Sequence, residues 1–145
     1  MIKAGNSILR AIRYPLADAP EGGALAFQHV GIQLLGLQIS PDMGGLQYLL
    51  PDGRWLEPHF EDFADCLIVN IGEMGSHLLG NAIAPSPHRV VMPRVVDKAE
   101  RYSLVFFFHP DHRTPVTNLR TGEVNFLKSW GEWLNERLNA LGLID

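Results

Sequence analysis

His29-Val30-Gly31 opens a stretch that runs through Gly44-Gly45-Leu46-Gln47, Asn70-Ile71-Gly72-Glu73 and His88-Arg89-Val90 and closes on Arg101-Tyr102-Ser103. Each motif sits where an apolar or β-branched run meets a turn. Ala24 to His29 reads as a strand, and His29 leads into the apolar run Ile32 to Ile39. Ser40 to Gly45 is a loop that turns the chain into Leu46 to Leu50. Pro51-Asp52-Gly53-Arg54 predicts a hairpin, because Asp-Gly supplies the positive φ angles of a tight turn, and Trp55-Leu56 resumes the strand. Pro58 to Asp65 reads as loop, and Cys66 to Ile71 as an apolar strand ending at Gly72. Glu73 to Pro87, rich in Gly and Pro, reads as irregular. His88 to Met92 is a strand confined between Pro87 and Pro93, Arg94 to Glu100 is a charged turn, and Tyr102 to Phe108 is the most strand-like run, ended by Pro110.

Outward from this stretch, Ser7 to Tyr14 is a strand that stops at Pro15, and Asp18 to Gly23 is a loop. Pro115 to Gly122 is a second loop. From about Glu123 the period changes: Leu127, Trp130, Leu134, Leu138 and Leu141 recur at helical spacing, with Gly142 as a C-cap. Trp130 and Trp133 are expected in the core. Many short strands followed by one helix argue a mainly β protein, a sandwich or jelly roll, with a C-terminal amphipathic α-helix packed outside. No repeat or low-complexity tract interrupts this order.

A chain of 145 residues, 46% hydrophobic and 19% charged, is of single-domain size and ordinary globular composition. The net charge of −4 and the lack of Lys/Arg runs argue against nucleic acid or a membrane surface as partner. The single Cys66 rules out an internal disulfide framework and, within its apolar run, is expected to be buried. No apolar stretch approaches a membrane span, and the N-terminus lacks the apolar core of a signal peptide, so a cytoplasmic location is expected.

The five motifs together resemble the C-terminal core of the isopenicillin-N-synthase-like iron(II)/2-oxoglutarate oxygenases. Those proteins carry a His-x-Asp/Glu, a Gly-Leu-Gln turn, an Asn-x-Gly-Asp strand end, a His-Arg-Val strand and an Arg-x-Ser strand. The resemblance covers roughly Ile8 to Pro110 and implies a double-stranded β-helix (jelly-roll) core. It implies Fe(II), 2-oxoglutarate and O₂ as cofactor and co-substrates, and a small molecule as substrate. His29 and His88 take the place of the family's iron-binding histidines. Arg101 and Ser103 take the place of the groups that hold the distal carboxylate of 2-oxoglutarate, and Tyr14, at the Tyr-Pro strand end, that of a tyrosine that assists them. Two imidazoles and a carboxylate would leave three positions of an octahedral iron for a bidentate 2-oxo acid and O₂. A guanidinium fork suits the remaining carboxylate.

Gly31 departs from the pattern, because it stands where the family has its iron-binding carboxylate. Iron/2-oxoglutarate halogenases, which this chain resembles at that position, have Gly or Ala there. In them chloride or bromide takes the vacancy, an iron(IV)-oxo abstracts hydrogen, and the substrate radical recombines with halide. The resemblance therefore implies a halogenase, with Gly31 marking the halide site. A non-catalytic relic binding a small acid or partner, and a hydroxylase with weak iron binding, stand as alternatives. Glu73 and Asp42 are the nearest other acids, and neither has ligand spacing. Gln33, Gly36 and the Gly75 to Asn81 segment also depart from the family, which makes Gln33 and His77 candidate substrate contacts. The chain reads as one domain, residues 1–145, without the family's N-terminal half. That leaves open a homo-oligomer or a partner chain completing the pocket.

Overall fold

Alternation of side chains along antiparallel strands builds two four-stranded sheets, each with one face turned inward. The protein, seen in a computed structural model, is described over residues 5–17, 19, 23–58 and 66–144. Its elements are β1 (Ile8–Pro15), β2 (Ala24–His29), β3 (Leu35–Ile39), β4 (Leu46–Leu49), β5 (Trp55–Leu56), β6 (Leu67–Ile71), α1 (Glu73–Leu78), β7 (His88–Val91), β8 (Glu100–Phe108), β9 (Pro115–Thr117), β10 (Val124–Ser129) and α2 (Trp130–Ala140). One sheet has the order β1-β8-β3-β6, the other β2-β7-β4-β5, and β9 and β10 form a separate ribbon. This is the expected jelly roll with a C-terminal helix.

Two turns fix the register around the site. Gly53, at φ +85°, closes the β4–β5 hairpin, where Tyr48 faces Leu56 and Leu49 faces Trp55. Gly45, at φ +92°, lets the chain pass so close to β7 that a Cβ there would lie 2.2 Å from the Val91 carbonyl.

On β8, Arg101, Ser103 and Val105 are buried while Tyr102 is exposed, so the inward face carries the two polar site candidates. The apolar core lies elsewhere, where Leu34, Met74, Leu78, Val116 and Trp130 pack together with Leu35, Trp133 and Leu134 against them. No helix among the described residues is long and apolar enough to cross a membrane.

Five local expectations need correction. Glu73–Leu78, read as irregular, is a helical turn and a half: Met74 and Leu78 share its buried face, and Gly75 sits against the Leu34 carbonyl, 2.2 Å from where its Cβ would be. Six residues are too few for a helical period to emerge. Pro115–Thr117, read as loop, is β9, paired with β10. The terminal helix starts at Trp130 rather than near Glu123, because Ser129 and Glu132 form a capping box there. Leu127, assigned to the helical stripe, lies on β10 and is 95% exposed. Cys66, expected to be buried, is exposed at the start of the edge strand β6, whose Leu67 and Val69 also point outward. Residues 59–65 of the Pro58 to Asp65 loop, and residues 18 and 20–22 of the Asp18 to Gly23 loop, lie outside the described residues.

Candidate active site

The strand β2 ends at His29 and β7 begins at His88, and their antiparallel register sets the two residues directly opposite each other. Their ring centroids are 4.4 Å apart. The backbone presents both rings alike: His29 Nδ1 lies 2.7 Å from the Phe27 carbonyl and His88 Nδ1 lies 2.9 Å from the Ser86 carbonyl, each two residues upstream. A carbonyl only accepts, so in the neutral ring Nδ1 carries the proton and Nε2 keeps its lone pair. That is the tautomer a metal ligand needs, fixed by a partner behind it. Burial lowers the His88 pKa, and His29 nearby lowers it further, against the opposing pull of the Ser86 carbonyl. Tyr48, opposite His88 on β4, has its ring centroid 5.7 Å from the imidazole, and burial pushes its phenol up to about 12. A cavity of about 370 Å³ adjoins this group, bordered by Tyr48, Ile68, Asn70 and Ser86.

On the facing sheet, Arg101 is 0% exposed. Its Nε donates to the Gly44 carbonyl at 2.8 Å, and its guanidinium lies 5.3 Å from the centre of the Tyr14 ring, which the β1–β8 register places opposite it. The two terminal nitrogens are buried and have no hydrogen-bond partner among the described residues. Burial lowers the Arg101 pKa and raises that of Tyr14, with each moderating the other. A buried cation with its fork open is costly unless an anion completes it, and a carboxylate matches it in shape and charge. Ser103, one residue removed on the same face, accepts from Gln38 Nε2 at 3.1 Å, which leaves its own hydroxyl proton to donate. Tyr14, Arg101 and Ser103 thus lie close together on β1 and β8, and the open fork with a hydroxyl beside it has the shape and charge to take a carboxylate.

The metal half fits in part. His29 and His88 offer two nitrogen donors, but among the described residues no group of three His, Cys, Asp or Glu side chains is placed to hold a metal ion. Glu73 is committed elsewhere, receiving a two-pronged ion pair from Arg137 on α2. Asp42 accepts from Lys98 and from the Tyr102 backbone. Beside Gly31, the space a side chain would enter is filled by the carboxamide of Gln33, which is 4% exposed. His77 is not brought to this group. It lies exposed on α1 with its ring 5.9 Å from Trp130 and 6.2 Å from Trp133.

The sequence reading passed over Gln38 and Tyr48. Gln38 had a signal, as one of two amides, with Gln33, in the mainly apolar run Ile32 to Ile39; Tyr48 is an ordinary strand residue until the register sets it against His88.

The family model of the 2OG-Fe(II) oxygenase superfamily matches residues 5–110. Among curated relatives, the 2-oxoglutarate-dependent dioxygenase gloE of Glarea lozoyensis is 27% identical over 127 residues, spanning 88% of this chain and 37% of the relative. Isopenicillin N synthase of Streptomyces griseus is 29% identical over 135 residues, spanning 88% of this chain and 38% of the relative. A full-length Neurospora crassa protein solved in complex with alpha-KG (2-oxoglutarate) matches with a TM-score of 0.76 at 25% identity, over 95% of this chain and 46% of that one. The chain therefore spans less than half the length of these relatives. A match that takes in both histidines and the buried arginine makes the assignment: the chain belongs to the 2OG-Fe(II) oxygenase superfamily.

Proposed function

We propose that this chain binds iron(II) and 2-oxoglutarate and serves in the O₂-dependent oxidation of a small organic molecule. The observation that carries the reading is the Arg101 guanidinium, 0% exposed with both terminal nitrogens unpartnered among the described residues. O₂ is the oxidant; iron and 2-oxoglutarate, when bound, would activate it for attack on an unactivated carbon, with 2-oxoglutarate giving up two of the electrons that reduce it.

The chain's own residues bind, orient and exclude water. The Arg101 fork and the Ser103 hydroxyl fix the far carboxylate of the co-substrate, and Tyr14 flanks the guanidinium. The Nε2 atoms of His29 and His88 face the metal because the Phe27 and Ser86 carbonyls hold the opposite nitrogens. A lowered pKa keeps His88 in its neutral, ligating form at neutral pH. The 370 Å³ cavity beside Tyr48 is of a size that takes a small molecule.

Halogenation is a second reading, favoured by Gly31, since a metal face without a carboxylate has room and charge for chloride or bromide. The Gln33 carboxamide must then turn aside, or offer its N–H groups to the halide. An ordinary hydroxylase or a non-catalytic relic would show no dependence on halide.

The test is an anaerobic titration with Fe(II) and 2-oxoglutarate, with and without chloride, read by the visible charge-transfer band of the chelate. The band should appear in the wild type. A shift on adding chloride supports halogenation, indifference to chloride supports the oxygenase reading alone, and no band refutes both.

A further inference from the structure

Residue 31 has no side chain, yet the space beside it is taken. A Cβ built on Gly31 would lie 2.2 Å from Gln33 Oε1, 2.5 Å from its Nε2 and 2.7 Å from its Cδ. An aspartate at 31 would hold its carboxylate oxygens two covalent bonds from that Cβ, and Gln33 Oε1 falls within the same radius. A Cβ on Gly36 would also have Gln33 Nε2 as its nearest neighbour, at 3.1 Å. The carboxamide is thus seated between two positions where any larger residue would crowd it, two residues downstream of Gly31 and four from His29. The loop that carries it is fixed: the Glu73 amide donates to the Gly31 carbonyl at 2.8 Å, and a Cβ on Gly72 would fall 2.0 Å from the Gln33 carbonyl.

We propose that the Gln33 carboxamide is the third protein donor of the metal face, in place of the carboxylate that residue 31 does not supply. This rests on His29 and His88 being metal ligands. An amide oxygen is a neutral, hard donor suited to a divalent cation. Three neutral donors leave the cation's full charge to be met by the carboxylates of the co-substrate. Metal binding by the protein alone is therefore weak, and 2-oxoglutarate strengthens it.

The experiment is Mn(II) binding to the full chain without 2-oxoglutarate, followed by calorimetry and by the loss of the free-ion electron paramagnetic resonance signal. Gln33→Glu restores a negative charge at the same place and should tighten binding at least about tenfold. Gln33→Ala, and equally Gly31→Ala, should weaken it about tenfold or more. Gly31→Ala keeps the glutamine but puts a methyl group into its seat, and because the atom met is the end of a flexible side chain the fold accommodates it. If His88→Ala abolishes binding while Gln33→Ala and Gly31→Ala leave it unchanged, Gln33 is filler: this proposal fails and the two-histidine site stands. If neither the wild type nor Gln33→Glu takes up Mn(II), both fail. If Gln33→Ala binds more tightly, and only with chloride present, the position belongs to a halide and the proposal is overturned.

Discussion

Replacing Arg101 with methionine separates a residue kept for ligand binding from one kept for the fold. A buried guanidinium that is fully paired costs about 3–5 kcal/mol to remove. Arg101 is differently placed. Methionine would forfeit the Nε bond to the Gly44 carbonyl, worth about 1.5–3 kcal/mol for a charged donor, and the contact with Tyr14, worth about 0.5–2 kcal/mol. Against this, it removes two buried nitrogens that have no partner, each carrying an uncompensated cost of about 1–3 kcal/mol. The two sides nearly cancel, so the stability of the ligand-free protein should change by less than about 2 kcal/mol. Binding of 2-oxoglutarate should fall by about 2–5 kcal/mol, roughly 30- to 4,000-fold, because the carboxylate loses its fork in a desolvated site. Urea denaturation of the free protein measures the first quantity, and calorimetric titration with 2-oxoglutarate in the presence of Mn(II) the second. A variant destabilised by 3–5 kcal/mol that still binds 2-oxoglutarate normally would refute the reasoning and make Arg101 a structural cation.

Three further outcomes follow from particular contacts. Trp130→Ala should cost about 3–5 kcal/mol, whereas Leu127→Lys should stay within about 0.5 kcal/mol, since one is 1% exposed in the core and the other 95% exposed on β10; equal effects in urea would put Leu127 back on the helix. A double-mutant cycle of Glu73→Gln with Arg137→Met should give a coupling of about 1 kcal/mol from their two-pronged pair, and zero coupling would show that the pair holds nothing. Glu100 is held at about 2 by hydrogen bonds from Arg13 and Tyr102, and Asp111 at about 2 by Arg113. Both folded-state values lie below the ordinary 4.5 and 3.8, so the stability these pairs give is complete above that range and is lost as pH falls toward about 2. The urea midpoint should drop through that window, and more shallowly in Glu100→Gln and Asp111→Asn; an unchanged slope would show that the pairs do not couple to folding.

The strands of the barrel were legible because each is bounded by residues with one job. Gly53 closes a hairpin, Pro15 and Pro110 stop β1 and the run after β8, and Arg101 and Ser103 fall on one face by simple alternation. That His29 and His88 would meet follows for the same reason, since two strand-end residues need only a register to face each other. What stayed hidden depends on neighbours that no single stretch contains. Cys66 sits in an apolar run, but β6 is an edge strand whose pairing begins only at Leu67, which leaves Cys66 exposed just before it. Leu127 matches the helical period by coincidence, while the Ser129–Glu132 box that starts the helix was present in the sequence and outranked by periodicity. Gln33 was read as a candidate substrate contact because it departs from the family pattern; that its amide turns back into the seat of residue 31 depends on the glycines at 31 and 36 together.

The apolar core and the polar site divide the molecule, and one chain of contacts joins them. Gln33, Gln38, Asn70, Arg101 and Ser103 are buried inside the barrel, where polar groups contribute little to stability and invite a ligand. Met74, Leu78, Val116 and Trp130 form an apolar cluster that includes Leu34, the residue after Gln33. From there α2 reaches the metal loop through Glu73: Arg137 grips the Glu73 carboxylate, and the Glu73 backbone amide donates to the Gly31 carbonyl. A helix beyond the strands that carry the chemistry thus braces the backbone of the position that lacks its carboxylate. If His29 and His88 hold a metal as proposed, packing at Trp130 and the ion pair at Arg137 would act on it through the placement of residues 31–34.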